Sequence, residues 1–203
     1  MFSDSPASPA SEFLRWFGPN QQPIRRAFGL SNNTDHHHSI DIHQRDVAQW
    51  PFCILTEFSA SNSSENRILL VAPLSGHFAF ILRELVAGLV EQADVSVTDW
   101  LNARHVSLRA GDFGFDDNVD VIARSITKIG PGAHVIALCQ GVMPALAATA
   151  LLARNEPALA PRSLTLIGGP VDPLANPTRV VRMLRQRSLK WLEANALDTV
   201  DPS

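Results

Sequence analysis

From residue 68 onward the chain alternates short apolar runs with stretches of helical period, and this alternation restricts the fold more than any single residue does. Strand, helix, strand repeated in this way is the pattern of a parallel sheet with crossover helices. Ile68–Ala72 is an apolar run closed by Pro73, as expected of a strand buried on both faces. In 78–90, Phe78, Ile81, Leu82, Leu85, Val86 and Leu89 recur at i, i+3, i+4, i+7, i+8 and i+11, which is one face of a helix. Val95–Thr98 reads as the next strand, ending in Asp99-Trp100 and a long loop. A helix is predicted over Phe115–Ile129, with Phe115, Val119, Ile122, Ile126 and Ile129 inward, Asp116 and Asp117 in its first turn, Lys128 in its last and Gly130-Pro131 as the stop. The third strand, His134–Leu138, runs directly into Cys139. The helix behind it, Gly141–Arg154, carries Pro144, which is tolerated only in a first turn, where no intrahelical carbonyl awaits its missing N–H. A further strand, Ser163–Ile167, is closed by Gly168-Gly169-Pro170.

Upstream, Ile40, Ile42 and Val47 alternate with polar neighbours and Pro51-Phe52-Cys53-Ile54-Leu55 follows, suggesting edge strands, with a polar turn over Ala60–Asn66. Segment 1–33 is rich in Ser, Pro, Asn and Gln and reads as a poorly ordered arm with one short amphipathic stretch, Glu12–Phe17. The core is expected over 34–170, and 171–203 is basic and weakly periodic. A length of 203 residues allows one large domain, or one domain and a tail. With Lys+Arg 17 against Asp+Glu 20, the net charge of -3 gives no global positive field, so general nucleic-acid binding is not expected. The first ten residues lack a basic and an apolar leader region, and no stretch approaches the ~18 uninterrupted apolar residues of a membrane span, so a cytoplasmic protein is expected. Cys53 and Cys139 show no CxxC spacing, so each is judged as a thiol.

Cys139 stands at a strand–helix junction in Ala137-Leu138-Cys139-Gln140-Gly141, small-x-Cys-x-small. A tight turn that lifts a nucleophile above a sheet leaves no room for bulk two residues to either side, which is the logic of a nucleophile elbow. The amino end of the following helix also favours negative charge there. The competing reading is a small buried cysteine at a strand end. Cys53, inside an apolar run, reads as core. Acyl transfer needs backbone donors for the oxyanion. The amide of Gln140 is the first candidate, and Leu74 or Ser75, in the loop after an earlier strand, the second; Ser75-Gly76 reads equally as a helix cap.

Five segments in order then carry a family resemblance: Ala72-Pro73-Leu74-Ser75-Gly76-His77, Thr98-Asp99-Trp100-Leu101-Asn102-Ala103-Arg104, Gly111-Asp112-Phe113-Gly114-Phe115-Asp116-Asp117, Cys139-Gln140, and Gly168-Gly169-Pro170-Val171-Asp172 with Asn176-Pro177-Thr178. Together they resemble the intracellular polyhydroxyalkanoate (poly-3-hydroxybutyrate) depolymerases, from about Pro51 to the C-terminus. The resemblance implies an α/β fold of the α/β-hydrolase type, a mostly parallel sheet with helices on both faces, here cut short after the strand that follows the nucleophile helix. It makes 171–203 the start of a lid-like or C-terminal region. It implies ester hydrolysis releasing 3-hydroxyacids, Cys139 as nucleophile, no cofactor, a polyhydroxyalkanoate polymer or granule surface as partner, and a place in the cytoplasm at storage granules; a homo-oligomer is compatible with it. Two departures stand out. Gly141 replaces the family's usual proline, and the chain reaches Ser203 before the family's acid and histidine, with no histidine after His134. The chain could therefore be an incomplete form. The alternatives are a catalytically incompetent granule- or partner-binding paralogue and a polyester synthase-like acyltransferase.

Local substitutes for the missing groups are His77, which could approach Cys139 or simply pack at a helix start, and Asp172, which could be the acid or a turn residue. His105 and Asp99 are further candidates on the long loop and strand end, Asp99 reading equally as a loop-fixing hydrogen-bonding group. Asp35-His36-His37-His38 with Asp41 and His43 has ligand chemistry but three adjacent histidines face one ion poorly, so no metal is expected. Arg179, Arg182, Arg185, Arg187 and Lys190 form either a solvated face or one that touches an anionic surface.

Overall fold

A computed structural model describes residues 42–60, 64–74 and 82–195. The chain divides into two compact units, Met1–Gly169 and Pro170–Ser203. The first is built on one six-stranded sheet, β1 (Ile42–Trp50), β2 (Cys53–Ala60), β3 (Arg67–Val71), β4 (Asp94–Trp100), β5 (His134–Leu138) and β6 (Ser163–Ile167). Across the sheet the order is β1-β2-β4-β3-β5-β6. The first two strands pair antiparallel, β2 pairs antiparallel with β4, and β4, β3, β5 and β6 run parallel. Helices α1 (Arg83–Leu89), α2 (Phe115–Ile129) and α3 (Val142–Asn155) are the crossovers between successive parallel strands. The chain steps one way from β3 to β4 and the other way from β4 to β5 and from β5 to β6. With right-handed crossovers this places α1 on one face and α2 and α3, which pack together, on the other.

The expected strands over 134–138 and 163–167 and the helix over 115–129 are observed with those bounds. Three differences have physical causes. β2 is not an edge strand: its run Cys53, Ile54, Leu55 and Thr56 is buried between β1 and β4, and of these first two strands it is β1 that lies at the margin. β4 is longer than 95–98, because Asp99 and Trp100 continue the pairing with Ile54 and Cys53. Phe115 is not inward. As the first residue of α2 it is more than half exposed, while the buried face of the helix widens to include Asn118, Val121 and Ser125. The expected helix over 78–90 is seen as Arg83–Leu89, preceded by the buried Leu82, and residues 78–81, like the arm at 1–33 and the histidine run at 36–38, lie outside the described residues.

The ends of α2 show why its bounds were readable. Asp117 Oδ2 accepts the Gly114 N–H at 2.8 Å, tying the entering chain to the first turn. At the other end Gly130 leaves the helix at φ +94°, and Arg67 donates to the carbonyls of Ile129 (2.6 Å) and Pro131 (2.9 Å), satisfying acceptors that the ended helix leaves open. In α3, Val142, Ala145, Ala148 and Leu152 turn inward, the alanines letting the helix approach closely, and Pro144 is buried in the first turn.

The second unit contains α4 (Arg179–Arg185) and α5 (Leu189–Asn195). Thr178 Oγ1 accepts from the Val181 N–H at 3.3 Å and caps α4, and the Arg187 guanidinium stacks 4.5 Å over the Trp191 ring.

Candidate functional site

In an open parallel sheet a ligand crevice forms outside the carboxyl ends of the strands, where neighbouring strands send their connections in opposite directions. Here those neighbours are β3, which leads toward β4, and β5, which leads toward β6. Their carboxyl ends carry the loop 72–74 and the turn at Cys139.

Cys139 has φ +49° and is the only residue other than glycine with positive φ among the described residues. Such a conformation costs an L-residue on the order of 1–2 kcal/mol. It turns the chain from β5 into a single turn of 3-10 helix, Cys139–Gly141, and then into α3. The thiol-bearing residue is thereby exposed, while the residues two positions to either side are packed. Ala137, two residues before it, is fully buried, and Gly141, two residues after it, is also buried. A Cβ added at Gly141 would lie 2.9 Å from Val71 Cγ1, 3.0 Å from the Val71 carbonyl oxygen and 3.2 Å from that of Ala72. The small-x-Cys-x-small spacing thus has a steric origin: the turn is pressed against the end of β3. Gly169, just past β6, encloses the other side, since its added Cβ would meet the Cys139 carbonyl oxygen and Val142 Cβ at 2.4 Å. What this packing requires at 141 is the absence of a side chain.

The loop after β3 is fixed by side chains from β4. Thr98 Oγ1 accepts the Ala72 N–H at 3.0 Å, and the Trp100 indole Nε1–H donates to the Ala72 carbonyl at 3.0 Å, both in buried surroundings. Trp100 packs against Phe113 with ring centroids 5.9 Å apart, and Phe113 against Phe52 at 4.7 Å. The Leu101 N–H donates to the Phe52 carbonyl at 2.8 Å. Three sequence segments, 72–74, 98–101 and 111–114, therefore meet at the carboxyl edge of the sheet. Farther along the loop, Asn102 Oδ1 accepts from the Arg104 N–H at 3.1 Å, opening a turn that ends at the exposed His105.

The candidate residues fall as follows. Cys139 and Gln140 form the turn into α3, and Leu74 is exposed in the loop that follows β3. Ser75 and His77 lie outside the described residues. Asp172 belongs to the second unit, where its Oδ1 accepts the Leu174 N–H at 2.8 Å, the geometry of a turn-forming aspartate. Asp99 is buried and engaged. His134 Nδ1 is 2.7 Å from Ser163 Oγ at the amino ends of β5 and β6. At ~3.3 Å per residue it lies ~16 Å along the strand from Cys139, too far to serve it as a base. Cys53 is fully buried, its thiol 3.6 Å from the Ile54 carbonyl. No group of three His, Cys, Asp or Glu that could hold a metal occurs among the described residues. Sequence reading missed the parts played by Thr98, Trp100 and Gly169. The available signals were a threonine and a tryptophan two apart at a strand end and a second glycine where one would close a strand.

A parallel sheet in this order, antiparallel first strands, crossovers on both faces and a strained turn between β5 and α3 define the α/β-hydrolase fold. Among solved structures, a Staphylococcus aureus protein provisionally assigned as an esterase matches with TM-score 0.50 and 14% identity, over 84% of this chain and 60% of its own. Naproxen esterase (carboxylesterase NP) from Bacillus subtilis aligns with TM-score 0.46 and 12% identity over 79% of this chain and 50% of its own, and the bacterial brefeldin A esterase with 0.48 and 13% over 87% and 60%. The chain spans 50–60% of the length of these structures. No family profile matches the chain, and no curated protein matches its sequence.

Proposed function

We propose that the protein is a carboxylic ester hydrolase with Cys139 as nucleophile, acting on polyhydroxyalkanoate as a depolymerase. The observation that carries this reading is the strained, exposed Cys139 at the carboxyl edge of the sheet, held between two positions that admit no side chain. A positive φ at a non-glycine residue costs stability and persists only where its surroundings impose it. In the proposed reaction the Cys139 sulfur bonds to the ester carbonyl carbon, and the oxyanion is held by the amide of Gln140 and one from Leu74 or Ser75. Collapse expels the alkoxide, which takes up the proton given up by the Cys139 thiol, and leaves a thioester; water then attacks the thioester to release the 3-hydroxyacid and restore the thiol. Attack of water on the thioester calls for a general base, and His77 is the candidate that the sequence offers for it. A second reading is a paralogue that binds granules or a partner without turnover.

The test is release of 3-hydroxybutyrate from amorphous polyhydroxybutyrate granules by the purified chain, with Cys139→Ala as control. Release that vanishes in the variant supports the depolymerase. No release, combined with no acylation of Cys139 by an activated ester, overturns the hydrolase reading and leaves the binding paralogue.

A further inference from the structure

We propose that Thr98 and Trp100 are positioning residues that clamp the loop bearing the second oxyanion donor; the inference rests on the ester-hydrolase reading. Ala72 is the first residue beyond β3 and is almost completely buried. A buried peptide group must find partners, and past the end of a strand the ladder no longer provides them. Here both polar groups of Ala72 are taken up by side chains of β4: the Thr98 hydroxyl accepts its N–H and the Trp100 indole donates to its carbonyl, each at 3.0 Å. Those side chains are two residues apart on one strand and so project to the same side of it.

The clamp bears directly on where the Leu74 amide points. Only Pro73 separates the held Ala72 carbonyl from that amide, and the proline ring fixes its own φ. Fixing the Ala72 peptide therefore leaves one soft torsion, the ψ of Pro73, between the clamp and the Leu74 N–H. Nor can the clamp drift. Trp100 is buried against Phe113, which stacks on Phe52, and the next residue, Leu101, is hydrogen bonded to Phe52. On the other side the carbonyl oxygens of Val71 and Ala72 line the space that Gly141 leaves vacant. The loop end is thus held from β4 and simultaneously abuts the Cys139 turn. An oxyanion hole requires this, because its donors act by being in place before charge develops.

The experiment compares two reactions of the same thiol. Acylation by p-nitrophenyl butyrate builds an oxyanion and is read as the pre-steady-state burst of p-nitrophenol; alkylation by iodoacetamide displaces iodide at a saturated carbon and builds none. Thr98→Val, which keeps shape and removes the acceptor, and Trp100→Phe, which removes the indole donor, should slow acylation about tenfold or more, the scale of cost expected of a misplaced donor. Alkylation of Cys139 in both should stay within about twofold of the wild-type rate, and Thr98→Ser, which retains the hydroxyl, should recover most of the acylation rate. Amide exchange at Ala72 should accelerate in Thr98→Val and not in Thr98→Ser. Equal slowing of both reactions would show general damage to the fold and overturn the positioning role, as would acylation unchanged in Thr98→Val. Absence of any burst in the wild type, with alkylation intact, would overturn the hydrolase reading itself and with it the role assigned to the clamp.

Discussion

At the scale of single residues the chain spends stability at Cys139. The left-handed conformation places Cβ against the backbone, a cost that glycine escapes. Cys139→Gly should therefore raise the unfolding free energy by about 1 kcal/mol in denaturant titrations, while Cys139→Ala changes it by no more than a few tenths. A Cys139→Gly variant no more stable than Cys139→Ala would mean that the turn carries no strain. The two cysteines give a second prediction. Cys53 is fully buried within β2, reachable only when the sheet opens, whereas Cys139 is exposed in the folded state. Iodoacetamide should label Cys139 faster by orders of magnitude, as read by peptide mapping of the native protein; equal rates would contradict an elbow cysteine. This contrast was legible in sequence because one thiol lies inside an apolar run and the other at a strand–helix junction flanked by small residues. The left-handed backbone at Cys139 was not legible as such, since nothing in a pentapeptide reports the walls that impose it.

Those walls belong to the scale of elements. β3, the Cys139 turn and the exit of β6 are packed so closely that two positions tolerate no Cβ. At Gly169 the obstructing atoms are the Cys139 carbonyl oxygen and Val142, with the former part of the backbone, so relief requires moving the chain rather than rotating a side chain. Gly169→Ala is expected to destabilise by about 1–3 kcal/mol and to slow acylation of Cys139; a melting temperature equal to wild type would show that the contact relaxes freely. Gly141→Ala should act similarly but less severely, its clashes being 2.9–3.2 Å. Sequence reading succeeded best where an element declared its own ends. α2 was bounded by an acidic first turn, an apolar stripe and a Gly-Pro stop, all local signals. It failed where the outcome depended on a remote partner. Phe115 fits the apolar stripe yet begins a helix whose first turn offers it little to pack against, and Trp100 lengthens β4 because Cys53 lies opposite it. The clamp on Ala72 joins residues 26 and 28 positions apart, beyond the reach of any periodicity.

For the sheet as a whole, the two margins are treated unequally. β1 carries Arg45 and Asp46, a register shift between Asp46 and Ala48, and an ion pair from Arg45 to Glu57 at 2.6 Å, devices that discourage a further strand from pairing. β6, Ser-Leu-Thr-Leu-Ile, has no charge, proline or bulge, and among the described residues it pairs only with β5. Its Ser163, Thr165 and Ile167 are exposed, unusual for a strand of a parallel sheet, which ordinarily has both faces covered. Uncharged open edges promote pairing between chains, and the 203-residue chain should accordingly show scattering mass that grows with concentration. Thr165→Lys places a charge on the exposed side of the strand without touching Leu164 or Leu166, and should suppress that growth while leaving Cys139 alkylation unchanged. If the wild-type chain instead remains monomeric at every concentration, the β6 edge is covered in solution, and amide exchange along 163–167 would then be as slow as in the buried strands. The asymmetry follows from topology: strands β3, β4 and β5 have neighbours on both sides and assemble the crevice, so the site's geometry is set at the centre of the sheet while its aggregation hazard is set at one margin. A substitution at the margin can therefore change solubility without moving the nucleophile, and the Thr165→Lys variant separates these two properties.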